Sequence, residues 1–182
     1  MTGDNLQSNL ESVGNEASPA TQQDLATVEE QLGRLPRGMV GIAARCGCSN
    51  PLVVITEPRL PDGTPFPTTF YLTSPELVHA CSTLEAERLM EAYNRDLEAD
   101  EALREAYKSA HEDYLARRAV LGSVPEIDGV SAGGMPGRVK CLHALVGHAL
   151  AAGPGVNPIG DKALEEIAAR GMWSRQTCNC RR

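Results

Sequence analysis

The run GMVGIAARCGCSNPLVVIT, residues 38 to 56, decides the fold. Residues 38–45 and 52–56 are short, apolar and rich in Val and Ile, the composition of β-strands. Between them CysGlyCysSerAsnPro supplies the Gly, Ser, Asn and Pro of a tight connection. Strand, short turn and strand make a hairpin, so the sheet starts out antiparallel.

Outward from the hairpin, residues 66–73 (FPTTFYLT) read as a third strand, reached through PRLPDGTP with a turn at Asp62-Gly63. Residues 64–68 read as a stiff lead-in with one buried aromatic, or as the rim of a pocket. From Pro75 the spacing turns helical, with Leu77, Cys81 and Leu84 four and three apart and a break expected near Asn94 to Asp96. Leu103, Tyr107, Ala110, Tyr114 and Leu121 then form a heptad-like stripe that predicts a packed helical pair, with His111 as a solvated flank. Residues 122–137 read as a Gly-, Ser- and Pro-rich loop. Pro136 suits a first helical turn, residues 139–152 continue it, and Gly153-Pro154 stops it. Asp161 is expected to cap a last short helix bearing Leu164 and Ile167 and closed by Gly171. Upstream, TQQDLATVEEQLGR from Thr21 reads as a helix with Leu25, Val28 and Leu32 on one side. The predicted class is α+β: a small, mainly antiparallel three-stranded sheet packed with several helices, including a helical pair. Residues 1–20 read as a disordered acidic tail, 21–171 as a single domain and 172–182 as a C-terminal tail.

The 182 residues suffice for a core that needs no disulfide staple. Net charge is −7, but residues 1 to 33 carry six acids and no Lys or Arg, so taking that −6 away leaves −1 for the body. A near-neutral body carries no electrostatic footprint for duplex nucleic acid. No stretch has the apolar length of a membrane span, and the N-terminus lacks the features of a secretion signal. A cytoplasmic protein is expected, with its six cysteines reduced and serving as core residues, metal ligands or reactive thiols.

Cys46-Gly47-Cys48 sits at the hairpin turn, where Gly47 allows both thiols to point one way, as in metal-binding knuckles. A closed zinc site needs four ligands, so partners must come from Cys141, His143, His148, or Cys178 and Cys180. On a continuous helix Cys141 and His148 lie about 20° apart around the axis but roughly 10 Å apart along it. Cys141 and His143 differ by about 160°, so they can share an ion only if the helix starts later than Pro136. Otherwise both histidines flank the apolar arc of Leu142, Leu145, Val146 and Leu150. Ser131, Gly133 and Gly134 lead into the expected helix start with Arg138 and Lys140, a combination that suits an anion. The GxxxxGK[ST] phosphate-loop spacing is absent.

QLGRLPRG at 31–38, RCGCSNP at 45–51, EPRLPDGTPFPTTFYLT at 57–73, HEDYLARR at 111–118 and SAGGMPGRVKCLHALVGHALAAGPGVNPIGD at 131–161 together resemble one family, number 501 of the domains of unknown function. The resemblance spans roughly residues 21–169. It carries no established activity, and some family members bear a septum-formation-initiator-related label. Cys178 and Cys180 fall outside its pattern, which favours Cys46, Cys48, Cys141 and His148 as the metal set, with zinc as the ion. The functional expectation is a Cys/His site beside an anion-binding helix start, taking an anionic small molecule. In an enzyme of this kind, His143 or His148 would carry the proton. The alternatives are an interaction module, associated with cell division, that meets a partner protein and holds any metal structurally, and a thiol redox protein using Cys46 and Cys48.

Overall fold

The computed structural model describes residues 9–34 and 36–175. A three-stranded antiparallel sheet, ordered β1-β2-β3, comprises β1 (Met39–Arg45), β2 (Pro51–Thr56) and β3 (Phe70–Leu72). Helix α1 (Gln22–Leu32) precedes it, and α2 (Pro75–Ala86), α3 (Leu89–Ala99), α4 (Glu101–Leu121), α5 (Leu142–Ala152) and α6 (Pro158–Ala169) follow. The chain is an α+β protein built on the hairpin that residues 38–56 predict.

Every residue of β2 is buried, which is why its sequence is continuously apolar rather than alternating. Ile42 and Val54 face Val28 of α1 on one side. Leu52, Ile55 and Phe70 face the main core on the other, where α5 crosses the sheet. Helix α5 is buried at every residue from Leu145 to Ala152, so it is the central helix rather than an amphipathic surface one. Gly147 permits the crossing: a Cβ there would stand 2.9 Å from the Phe70 carbonyl oxygen.

The predicted stripe on α4 is core, with Tyr107, Ala110 and Tyr114 wholly buried. The helix breaks lie elsewhere than Asn94 to Asp96. Arg88 adopts a left-handed φ of 63° between α2 and α3, and the Asp100 side chain accepts from Leu103 N to start α4. Asn94 is a clamp instead: its amide donates to Val139 O at 3.1 Å and its Oδ1 accepts from Val139 N at 2.8 Å. At α6 the cap is Asn157, which accepts from Gly160 N at 2.9 Å, with Pro158 in the first turn. Asp161 is already inside that helix.

Both ends of the domain extend past the expected limits. Residues 9–13 are helical, Leu10 and Val13 are fully buried, and Ser18 pairs with Ile42 as a β-bridge. Leu10, Val13 and Ala17 are three and four apart, enough for one short apolar face despite the polar composition around them. Trp173 packs into the main core from the other end.

Candidate metal centre

The geometry at the start of α5 follows from where the helix begins. Gly133 and Gly134 take left-handed φ values of 68° and 96°. The loop then folds on itself: Lys140 N and Cys141 N both donate to Gly133 O at 2.7 and 3.3 Å, and Arg138 N donates to Gly134 O at 3.1 Å. With its amides used this way, the segment after Pro136 does not wind into a helix, and α5 begins only at Leu142. Cys141 becomes the cap residue, with an extended φ of −151°. Glu85 of α2 reaches across and accepts from Leu142 N at 2.6 Å, placing a carboxylate at the positive helix end.

This late start brings Cys141 and His143 together. Cys141 Sγ lies 3.8 Å from His143 Nδ1, and Glu85 Oε1 lies 3.1 Å from the same nitrogen. The donor atoms of Glu85, Cys141 and His143 all fall within 4.8 Å of one another, and among the described residues this is the group of three or more that can hold an ion. Zinc bond lengths imply tetrahedral edges of about 3.6 Å for sulfur to nitrogen and about 3.3 Å for nitrogen to oxygen. The observed spacings are within a few tenths of an ångström of both.

On its far side His143 Nε2 lies 3.2 Å from Val78 O and 3.2 Å from Ser82 Oγ. A carbonyl only accepts, so Nε2 carries the hydrogen, and in the neutral ring Nδ1 presents its lone pair to Cys141 and Glu85. Without a metal, the Cys141 sulfur and then the Glu85 charge outweigh burial and push the His143 imidazolium up to about 9. Cys81, on the neighbouring turn of α2, is pushed up to about 12 by burial and the nearby Glu85 and Cys141, so it stays a thiol. It is a core residue, as its place on the apolar stripe predicts.

His148 occupies a different environment. It is wholly buried, stacked on Phe70 at 5.5 Å between ring centroids and edge-on to Tyr114 at 5.1 Å. Its Nε2 meets Asp113 Oδ2 at 2.8 Å, and its Nδ1 lies 3.1 Å from Asn157 Nδ2. An acceptor on one nitrogen and an amide donor on the other fix a neutral ring protonated at Nε2. Burial pulls His148 below the ordinary histidine range despite Asp113. Burial would raise Asp113, but hydrogen bonds from His148 and Arg117 outweigh it and hold that carboxyl low. Arg117 continues the chain to the N-terminal segment, donating to Val13 O at 3.1 Å.

The residues singled out from the sequence thus lie at separate places. Cys46 and Cys48 are together at the β1–β2 turn, their sulfurs 2.7 Å apart. Cys141 is with His143 and Glu85, and His148 is with Asp113 and Asn157. The four residues of the predicted metal set do not form one cluster. Cys178 and Cys180 lie outside the described residues. Ser131 is buried and hydrogen-bonded to His111 Nδ1 at 2.8 Å, so His111 is tied to the loop rather than solvated. Arg138 and Lys140 are exposed, and the helix end they were expected to serve is met by Glu85. Glu85 and Asp113 carry no local signal for these roles, because each meets its histidine through the tertiary fold, and Asn157, legible before Pro158 as a helix cap, reaches His148 only through that fold.

No curated protein and no solved structure matches the chain. No helix among the described residues is long and apolar enough to cross a membrane. A family model described as protein of unknown function (DUF501) matches residues 42–165, a span holding β2, β3, all of α2 to α5 and the Glu85, Cys141 and His143 cluster. The chain belongs to the DUF501 family.

Proposed function

We propose that the chain is a zinc-binding protein in which Glu85, Cys141 and His143 hold one ion through Oε1, Sγ and Nδ1. The convergence of those three atoms within 4.8 Å, with His143 Nε2 committed to Val78 O, carries this reading. A backbone carbonyl on the remote nitrogen is the support a ligating histidine uses to fix its ring. One thiolate, one imidazole and one carboxylate suit zinc better than the harder or softer metals.

Three protein ligands leave a position for water or for an anionic small molecule. Exposed Arg138 and Lys140, on the loop that delivers Cys141, add positive field on this side. As a ligand, His143 does not double as the proton carrier, and enclosed His148 is not offered to a substrate. A bound ion would supply a Lewis acid at that open position, so chemistry there would call on neither histidine as a proton carrier. Cytoplasm is the compartment this reading requires, because it keeps Cys141 reduced.

The test is metal analysis of the dialysed full chain beside Cys141→Ser and Glu85→Gln. Glu85→Gln keeps an oxygen for Leu142 N while removing the ligand charge. Each variant is expected to lose one equivalent of zinc while keeping its helix content. Unchanged zinc content in both would overturn the reading.

A further inference from the structure

A cavity of about 650 Å³ opens where the N-terminal segment, the end of α5, one face of α6 and Trp173 meet. Small organic ligands occupy spaces of roughly 300 to 1,000 Å³, so this one is of ligand size. Leu150, Leu164 and Trp173 give it an apolar wall, and Glu16, Asp161, Glu165 and Arg175 are its charged groups. Backbone contacts fix the frame. Asn15 N donates to Ala151 O at 2.9 Å, which seats the N-terminal segment on the last turn of α5 and brings Glu16 to the cavity. Gly153 and Gly155, at left-handed φ values of 90° and 86°, turn the chain from α5 to α6. Gly155 N then donates to Asp161 Oδ2 at 2.8 Å and holds that carboxylate at the wall.

The charges here are unbalanced in favour of a cation. Carboxylates outnumber guanidinium groups three to one around the cavity. Asp161 and Glu165 stand four apart on α6, a like-charge spacing that costs a helix stability, and among the described residues no cation forms an ion pair with either. Arg175 and Glu16 make a loose pair at 3.8 Å between exposed side chains, worth little. The C-terminal end of α5, the negative end of its dipole, lies at the same place with no basic residue in its last turn. Burial and then the Glu165 charge outweigh the Gly155 hydrogen bond and push the Asp161 carboxyl above its ordinary value. Glu16, Asp161 and Glu165 do not converge on one point as Glu85, Cys141 and His143 do, so they suit a cation with charge spread along its length rather than a metal ion. The indole of Trp173 adds an apolar surface for methylenes and a ring that attracts ammonium groups.

We infer that this cavity binds an aliphatic polyamine, its ammonium groups paired with Glu16, Asp161 and Glu165 and its methylene chain laid against Leu150, Leu164 and Trp173. The site shares no residue with the metal centre and does not depend on it.

Trp173 is the single tryptophan of the chain, so its emission reports on this cavity. Spermidine titrated into the full chain at low salt is expected to shift that emission and to saturate at one equivalent. Glu16→Gln/Glu165→Gln changes two exposed positions and is expected to weaken binding about tenfold while circular dichroism stays that of wild type. Asp161→Asn, which keeps an oxygen for Gly155 N, is expected to weaken it in the same direction. Magnesium at matched charge is expected to leave the emission unchanged. The inference is overturned if millimolar spermidine does not move the emission, if folded variants bind as wild type does, or if magnesium reproduces the shift. Binding that appears only in Arg181→Ser/Arg182→Ser also overturns it, because the chain's own cations would then be the occupant.

Discussion

The two histidines of α5 sit five residues apart, each beside a carboxylate, and the helix puts them to opposite uses. His148 lies in the core, where Asp113, Asn157, Phe70 and Tyr114 enclose it and both ring nitrogens are satisfied. His143 lies at the partly exposed start of the helix, where one nitrogen is tied to backbone and the other faces a thiol and a carboxylate. Burial and the choice of second partner separate a structural histidine from a ligand. An amide on Nδ1 completes the ring at His148, whereas a sulfur and an oxygen on Nδ1 make a coordination vertex at His143.

Replacement at the core position is expected to have the largest effect. His148→Leu removes two buried hydrogen bonds and leaves Asp113 with Arg117 alone and the Asn157 amide without its ring acceptor, at a cost of about 3 kcal/mol. His143→Leu in chelator-treated protein is expected to cost about 1 kcal/mol, since the groups it leaves can turn to water. Denaturant midpoints of the two variants check this, and equal losses would break the contrast. Asn157→Ala is next: it removes the α6 cap and the donor to His148 Nδ1 together, for about 2 kcal/mol by the same measurement.

The pH dependence of metal-free protein separates the histidines by sign. The stability His143 confers is complete below its ordinary value of 6.5 and is lost as pH rises through about 9. His148 is shifted the other way, so its contribution is present above 6.5 and declines as pH falls below that value. His143→Gln is expected to flatten the alkaline side of the stability profile and His148→Gln the acid side. Profiles with the same sign would contradict the assignment. The smallest effect is expected from Arg138→Ala with Lys140→Ala, which should move the unfolding midpoint by less than about 0.5 kcal/mol because both side chains are exposed. A larger loss would show that the loop before α5 depends on its charges and not on the Gly133 carbonyl.

Much of the fold is local and could be read directly. The hairpin, the α4 stripe and the stops at Gly33 and Gly171 follow from residue type and spacing. The start of α5 could not be read, because Pro136 suits a first turn and only the folded loop shows that Gly133 O has taken the amides of Lys140 and Cys141. That one boundary changes the chemistry. A helix from Pro136 puts Cys141 and His143 on opposite faces, and a helix from Leu142 puts them on one vertex. Glu85 is silent in sequence for a related reason: it is four residues after Cys81 on an ordinary helix, and its role depends on α2 lying beside α5.

The most direct test of the central claim is a zinc titration of metal-free full-length protein, observed through the imidazole nitrogen resonances of both histidines. At saturation the His143 Nδ1 signal is expected to move to the position of a metal-bound nitrogen, while the His148 signals stay those of a neutral ring protonated at Nε2. Zinc uptake with His143 unmoved, or with His148 moved, would contradict it.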